Sequence, residues 1–233
     1  MARPVCAVIG IGPGNGAAFA RRFAADGYAV ALLSRQLEPS RALATALPDA
    51  RAWACDVGDP AAVERVFGEI RGALGDPEVV IYNAGSGAFG SFDDVGLADF
   101  EAAWRVNALG AFAVAKQVVP AMKRARRGNL VFVGATASRR GAVRTAAFAP
   151  AKAAQRSLAE SLAKHLGPAG IHVSLIVIDG VVDLPRTRQR LPDKPDEFFV
   201  APDDVAATAA FLVGQPRSAW TFELEARPFG ETW

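Results

Sequence analysis

Val5-Cys6-Ala7-Val8-Ile9 is followed directly by Gly10-Ile11-Gly12-Pro13-Gly14-Asn15-Gly16, and these twelve residues carry the clearest structural signal of the chain. Its first residues are apolar and rich in β-branched types, which predicts a strand buried on both faces, as in a parallel sheet. The glycines come next, where the chain must turn tightly and where backbone N–H groups can approach a phosphate. A helical pattern starts immediately afterwards. The order strand, glycine loop, helix predicts the first unit of a nucleotide-binding α/β fold.

The same alternation continues along the rest of the chain. Short apolar runs recur, and Ala-rich segments of helical period, such as 17–25 and 63–74, lie between them. This pattern predicts a single Rossmann-type α/β domain over residues 1–233, in which a doubly wound parallel sheet of about seven strands is flanked by helices. The predicted strands are 5–9, 29–33, 50–55, 79–82, 130–133, 173–178 and 222–226.

The composition excludes several classes of protein. Hydrophobic residues make up 51% of the 233 residues, which is too large a fraction for a disordered chain. The 26 basic and 24 acidic residues leave a net charge of +2, without the basic excess that marks a nucleic-acid binder. The two cysteines, Cys6 and Cys55, are too few for a disulfide framework or a four-ligand zinc site, so we expect no metal.

The start of the chain and its apolar runs bear on location. No apolar run reaches the roughly 18 residues that a membrane span needs. The first predicted strand begins at Val5, which leaves no room for the charged segment and apolar core of a secretory signal. We therefore expect a cytoplasmic protein without a membrane partner.

Residues 184–200 interrupt the alternating pattern. Arg, Pro and Asp are scattered through this stretch without a hydrophobic period, which predicts a loop with at most short helices. The stretch follows the sixth predicted strand, and ligands of doubly wound sheets bind at the carboxyl ends of the strands. We therefore predict that residues 184–200 form a substrate lid.

Further motifs follow the glycine loop in a fixed order, and each lies at the end of a predicted strand or within a predicted helix. The full series begins with the loop glycines Gly10, Gly14 and Gly16. It continues with Asp56 in Cys55-Asp56-Val57, Asn83-Ala84-Gly85, Asn107, Lys152 and Pro202-Asp203-Asp204-Val205-Ala206. In this order and spacing the chain resembles the short-chain dehydrogenase/reductase family over nearly its whole length.

The resemblance implies that these motifs bind a nicotinamide dinucleotide. It implies that the glycine loop holds the pyrophosphate, that Asp56 touches the adenine and that Lys152 binds the nicotinamide ribose. The implied cofactor-binding residues are Gly10, Gly12, Gly14, Asn15, Gly16, Ser34, Arg35, Asp56, Val57, Asn83, Ala84, Gly85, Lys152, Asp179 and Gly180.

The end of the second predicted strand bears on the choice of cofactor. NAD-preferring relatives carry an acidic residue there, which accepts a hydrogen bond from the ribose 2′-hydroxyl. This chain has Ser34 followed by Arg35, and a guanidinium can pair with a 2′-phosphate. We therefore predict NADP(H) as the preferred cofactor. NAD(H) stays open as the second choice, because Arg35 can instead be a solvated loop residue.

The catalytic residues that the resemblance implies are only partly present. Family members use a tyrosine four residues before the lysine as the proton donor, and a serine thirteen residues before that tyrosine as a hydrogen-bond donor to the substrate oxygen. Counting back from Lys152 places Phe148 at the tyrosine position and Ala135 at the serine position. A phenyl ring has no proton to give, and the loss of a positioned acid lowers rates by about 10²–10⁴-fold.

Other polar residues remain near this segment. Asn107 and Lys152 keep the family's identities, which implies that they hold the nicotinamide ribose and order a water. Ser138 lies on the loop that leaves the fifth predicted strand, where its hydroxyl either donates to the substrate or bonds its own backbone. Asp179-Gly180 stands where the family has Pro-Gly, and its carboxylate either holds a water or the carboxamide, or belongs to a solvated turn.

Two functions of different class follow. In the first, the chain is an NADP(H)-dependent oxidoreductase that transfers a hydride to or from a small organic substrate with altered proton delivery. In the second, it is a non-catalytic NADP(H)-binding sensor or partner protein, which the joint presence of Ala135 and Phe148 favours.

The resemblance also implies a homodimer or homotetramer, formed through two Ala-rich helices at about 100–126 and 150–166. We expect no nucleic-acid partner.

Overall fold

A parallel sheet with helices on both faces forms the centre of the computed structural model, which describes residues 3–231. The strands are β1 (Val5–Ile9), β2 (Ala29–Ser34), β3 (Ala50–Ala54), β4 (Pro77–Tyr82), β5 (Gly128–Ala135), β6 (Ile171–Ile178), β7 (Val181–Val182), β8 (Phe199–Val200) and β9 (Glu223–Ala226). The helices are α1 (Asn15–Ala25), α2 (Leu37–Thr45), α3 (Pro60–Ala73), α4 (Leu97–Trp104), α5 (Gly110–Ala125), α6 (Phe148–Leu166), α7 (Pro185–Arg190) and α8 (Pro202–Val213).

The main sheet has seven strands in the order β3-β2-β1-β4-β5-β6-β9, and every neighbouring pair is parallel. All seven predicted strands are present, so the prediction of a doubly wound α/β sheet is confirmed. The direction of winding reverses between β1 and β4, which opens a crevice at the carboxyl ends of these two strands. The glycine loop leaves β1 at this point.

The apolar core lies on both faces of the sheet, and β1 illustrates why its sequence is apolar without alternation. Ala7 and Ile9 pack with α3, α5 and α6, whereas Cys6 and Val8 pack with α1 and α8. Every residue of β1 is buried. A strand that is covered by helices on both sides must be apolar at every position.

Local signals set the ends of several helices. Asp59 caps α3, because its side chain accepts a hydrogen bond of 3.0 Å from the Ala61 N–H, and Pro60 occupies the first helical position. Between α4 and α5 the backbone forms a π-helical turn at Arg105–Leu109. Such turns often mark functional sites, and this one contains Asn107.

The segment after β6 has the short helical elements that the sequence predicts. It contains α7 and a 3₁₀ turn at Asp196–Phe198, and the parallel pairing of β7 with β8 brings its two ends together.

Within residues 3–231, no helix combines the length and apolarity needed to cross a membrane.

Candidate active site

The glycine loop is packed tightly against the end of β4. The N–H groups of Gly10 and Ile11 both donate to Leu33 O, at 2.8 and 3.0 Å. Gly10 has φ +94°, and a Cβ atom built on it would lie 2.5 Å from Ala84 N. A Cβ atom on Gly16 would overlap the carbonyl oxygen of Gly10. Both positions therefore require glycine.

Asn83 fixes the loop, and the loop remains open on its other side. The Asn83 side-chain N–H donates to Gly10 O at 2.7 Å, and the Asn83 backbone N–H donates to Ile9 O at 2.9 Å. A Cβ atom on Gly12 would meet nothing within 4 Å. Asn15 Oδ1 is buried and has no hydrogen-bond partner within residues 3–231. The loop thus has an unoccupied side and an unused buried acceptor, as a binding loop would.

The segment after β7 reaches the glycine loop. The side chain of Leu184 touches Gly14, so that a Cβ atom on Gly14 would overlap it, and Val182 Cγ1 lies 3.8 Å from the same point. Thr187 braces this end of the segment, because its Oγ1 donates to Val182 O at 2.7 Å and accepts from the Leu184 N–H at 3.0 Å. The segment therefore covers part of the loop.

The residues after β2 and β3 lie on the same edge of the sheet. The Ser34 hydroxyl donates to Gln36 O at 2.6 Å and also contacts the Ser40 hydroxyl, so it is used within its own turn. Arg35 is exposed, and its guanidinium forms no ion pair or hydrogen bond within the described part of the chain. Asp56 accepts a hydrogen bond of 2.9 Å from the Gly58 N–H, and Val57 beside it is buried.

Lys152 is buried at the first turns of α6. Its Nζ donates to Val133 O at 2.9 Å and to Gln155 Oε1 at 3.0 Å. Burial alone lowers the pKa of Lys152 to about 7, because no neighbouring charge compensates for the loss of water. A lysine with this pKa exchanges its proton near neutrality, which suits acid–base work.

Asn107 and Lys152 converge on Gly85. A Cβ atom built on Gly85 would lie 3.5 Å from both Asn107 Oδ1 and Lys152 Nζ. The Asn107 amide N–H₂ donates to Ser86 O at 2.9 Å and to Ala103 O at 2.8 Å, which fixes the side chain. Asn107 Oδ1 is buried and has no partner in residues 3–231. The two polar groups thus face the same small volume.

Phe148 begins α6 and makes this side of the site apolar. Its ring lies 4.9 Å from the Phe89 ring, centroid to centroid, and 6.0 Å from Lys152 Nζ. The loop that carries Phe89 is joined to the segment before α6, because the Gly90 N–H donates to Arg144 O at 3.0 Å. The two aromatic rings therefore form an apolar wall on this side of the site.

Ala135 ends β5, and the polar residues that follow it have different partners. The Thr136 hydroxyl donates to Asp179 Oδ1. Ser138 is buried, and its hydroxyl has no partner among the described residues, so it is not tied up in a turn. The Ser138 O–H group is therefore free to donate a hydrogen bond to a ligand or a water.

The Asp179 side chain is largely buried, and its carboxylate contacts other residues of the chain. Besides Thr136, its carboxylate faces Arg227, with Oδ2 at 3.8 Å from the guanidinium. Gly180 follows with φ +156°, and a Cβ atom there would lie 2.7 Å from Pro228 Cδ. This pair therefore makes a tight connection at the edge of the site.

Two residues of the site were not identified by sequence reasoning. Phe89 lies in a loop without periodicity, so its contact with Phe148 is visible only in three dimensions. Gln155 could have been found from its position on the helix. It is a polar residue three positions after Lys152, and it shares a helix face with Ala151 and Ala159, four residues before and after it, which are both buried. Within residues 3–231, no group of three or more His, Cys, Asp or Glu is placed to hold a metal.

Comparisons with known proteins agree with this architecture. The family model described as short chain dehydrogenase matches residues 4–195. The chain is 31% identical over 219 residues to the 3-oxoacyl-[acyl-carrier-protein] reductase MabA of Mycobacterium tuberculosis, across 91% of this chain and 85% of the relative. A metagenomic short-chain oxidoreductase, solved in complex with NADP, has a TM-score of 0.85 at 27% identity and covers 99% of both chains.

A short-chain dehydrogenase from Rhodopseudomonas palustris is similar to the same degree, with a TM-score of 0.84 at 30% identity over 97% of this chain and 99% of that one. The family match spans the sheet from β1 to β6 and the loops described above. The fold, the order of the motifs and these likenesses together establish that the chain belongs to the short-chain dehydrogenase family of oxidoreductases.

Proposed function

We propose that this chain is an NADP(H)-dependent oxidoreductase that transfers a hydride to or from a small organic substrate. The glycine loop is the observation that carries the proposal. Gly10 and Gly16 leave no room for a Cβ atom on the protein side, while Gly12 borders open space. A loop with this asymmetry is suited to bind a diphosphate through backbone N–H groups. The residues proposed to bind the cofactor are Gly10, Gly12, Gly14, Asn15, Gly16, Ser34, Arg35, Asp56, Val57, Asn83, Ala84, Gly85, Lys152, Asp179 and Gly180.

The preference for NADP(H) over NAD(H) is proposed to reside in Arg35. Its guanidinium is exposed and makes no ion pair within the described residues, so it is available for a 2′-phosphate. Ser34 beside it offers no carboxylate to accept from a ribose 2′-hydroxyl. The metagenomic relative was solved in complex with NADP, which agrees with this choice.

The nicotinamide half of the cofactor supplies the hydride, so the chain has to position the substrate and provide a proton. Phe148 and Ala135 have no proton to offer. We assign the proton to a water held between Lys152 Nζ and Asn107 Oδ1, because both atoms lie beside Gly85. The unpartnered Ser138 hydroxyl is proposed to donate a hydrogen bond to the substrate.

The substrate is proposed to be an acceptor that needs little acid catalysis. An iminium becomes a neutral amine when it takes a hydride, and a conjugated alkene takes a hydride with delocalisation of the negative charge, so neither needs a strong acid. A ketone requires more help, and with a water as the donor we expect it to react more slowly. The apolar pair Phe89 and Phe148 favours a substrate with an apolar body, and the 184–200 segment is proposed to close over it as a lid.

The second candidate is a non-catalytic NADP(H) sensor or partner protein. It is favoured by the two apolar residues Ala135 and Phe148, which stand at the positions of both polar donors to the substrate. The two candidates share the cofactor and differ in turnover. A cytoplasmic location remains a prediction in both.

A binding and turnover experiment separates the two candidates. NADPH binding is first measured on the purified wild type and on Phe148→Tyr. Oxidation of NADPH is then followed with a 3-oxo ester, an α,β-unsaturated ketone and a cyclic imine. Phe211→Tyr, an exposed position on α8, is the matched control.

Each outcome decides one point. Wild-type turnover that Phe148→Tyr lowers supports a specialised enzyme. Turnover that is absent in the wild type and gained in Phe148→Tyr supports the sensor. Failure of the wild type to bind NADPH contradicts both candidates.

A further inference from the structure

Gln155 is a buried polar residue that no part of the proposed function uses. It lies one turn after Lys152 on α6 and is 0% exposed. A buried amide destabilises a protein unless its polar atoms find partners. Gln155 Nε2 has none within residues 3–231, so the bond from Lys152 to Oε1 is the only hydrogen bond of this side chain to the described residues.

The bond to Gln155 determines how the Lys152 ammonium is held. Lysine has three N–H donors. One points to Val133 O at 2.9 Å and one to Gln155 Oε1 at 3.0 Å. One donor is left, and Nζ lies beside Gly85, where Asn107 Oδ1 also lies without a partner. Two bonds therefore leave a single N–H for the site.

The two oxygens are also the groups that stabilise the charge of Lys152. No carboxylate pairs with Nζ among the described residues, and burial is the single cause of its lowered pKa. Of the groups on the surrounding elements, Asp179 accepts from Thr136 and Arg139 pairs with Glu223, whereas the neutral Asn107 Oδ1 and Ser138 hydroxyl have no partner among residues 3–231. A hydrogen bond from the ammonium to a neutral oxygen favours the charged form.

We propose that Gln155 is a positioning residue that favours the protonated form of Lys152 and leaves one N–H for proton delivery to the substrate. This inference rests on the proposed oxidoreductase function. In the reduction of a conjugated alkene one substrate carbon receives a hydride, and the stabilised carbanion that forms takes a proton from the Lys152 ammonium through one water. Lys152 is left as a neutral amine and regains its proton from solvent, so the charges balance.

The test follows the titration of Lys152 in the cofactor-free chain. The sequence has five lysines, at 116, 123, 152, 164 and 194, so the ¹³Cε signals of labelled lysine can be assigned by single substitutions. Gln155→Met keeps the length of the side chain and removes the acceptor. Gln155→Glu replaces the amide by a carboxylate. Gln117→Met, on α5, is the matched control.

The proposal predicts opposite shifts. Loss of the acceptor disfavours the ammonium, so the pKa of Lys152 falls in Gln155→Met. A carboxylate favours the ammonium, so the pKa rises in Gln155→Glu. We expect at least a tenfold change in the protonation equilibrium in each case, which is about one pKa unit. Gln117→Met leaves the titration unchanged.

If Gln155 served only to pack the core, its substitution would change the melting temperature and leave the pKa of Lys152 unchanged. If Lys152 titrates in Gln155→Met as in the wild type, the proposal is wrong. If Gln155→Met does not fold, Gln155→Glu decides: the proposal is then wrong if the pKa of Lys152 does not rise in that variant. NADPH binding is measured in parallel on the wild type. Its absence would overturn the proposed function, whereas binding together with unshifted titrations would overturn the role of Gln155 alone.

Discussion

At the scale of single residues, Gly12 and Gly16 serve different purposes within one loop. A Cβ atom on Gly16 overlaps Gly10 O, whereas one on Gly12 meets nothing within 4 Å. We expect Gly16→Ala to lower the melting temperature. Gly12→Ala should leave the melting temperature of the cofactor-free chain unchanged and weaken NADPH binding by about tenfold, or about 1.4 kcal/mol.

Thermal melts with and without NADPH measure both effects, and each variant is the control of the other. If Gly12→Ala binds NADPH like the wild type, the open side of the loop is not the binding side.

Lys152 makes the stability depend on pH. Burial lowers its pKa from 10.5 to about 7. Between these values the unfolded chain holds a proton that the folded chain has released, so the free energy of unfolding rises with pH, by at most about 1.4 kcal/mol per unit. Below the lower value the burial of the ammonium is fully destabilising.

Lys152→Met removes this contribution, so its stability should rise less steeply than that of the wild type between about pH 7 and 9. Urea unfolding at several pH values measures the slopes, with exposed Lys164→Met as the control. Equal slopes for Lys152→Met and the wild type would show that Lys152 is charged in the folded chain throughout this range.

Residue positions in the site were predictable where a motif has fixed spacing. Gly10, Asn83 and Lys152 follow from their places after a strand or within a helix, and they lie at the same edge of the sheet. The contact of Phe148 with Phe89 was not predictable, and the spacing that places Gln155 one turn after Lys152 does not show that the two side chains bond. Both contacts depend on how a loop and a helix face pack together, which local sequence does not encode.

At the scale of elements, Arg188 holds the 184–200 segment together. Its guanidinium forms two bonds of 2.8 Å to Asp183 and one of 2.6 Å to Asp196, and it lies 4.0 Å from the centre of the Phe199 ring. We expect Arg188→Met to open the segment and to raise the rate of tryptic cleavage after Arg190 several-fold.

Arg186→Met is the control, because it removes a cleavage site from the same helix without breaking these contacts. The rates are compared by mass spectrometry of the first fragments. Equal cleavage rates in the two variants would mean that Arg188 does not brace the segment.

The elements themselves were largely predictable from periodicity, because continuous apolar runs mark strands that are buried on both faces. The π-helical turn at Arg105–Leu109 was not, since these residues contain neither Gly nor Pro and the helical pattern continues through them. The start of α6 lies at Phe148, two residues before the predicted start, because Pro150 is tolerated in a first helical turn.

At the scale of the whole molecule, exposed aromatic residues are consistent with self-association through α4 and α5. Phe100, Trp104 and Phe112 are 44%, 44% and 48% exposed along this helical stretch. We expect a homodimer or homotetramer in solution, and Phe112→Glu should shift it towards the monomer because a charge would be buried at the interface.

Light scattering after size exclusion measures the mass. Phe211→Glu, an exposed aromatic position on α8, is the control. A wild type that is monomeric at micromolar concentration would contradict this expectation.

Isothermal titration calorimetry of the cofactor-free chain measures whether the loop after β1 binds a nicotinamide dinucleotide. We expect saturable binding of NADPH at one site per chain, with NADH bound at least about tenfold more weakly, and we expect Arg35→Asp to abolish this difference. The absence of binding heat with NADPH, NADP⁺, NADH and NAD⁺ alike would mean that the loop is not a dinucleotide-binding site.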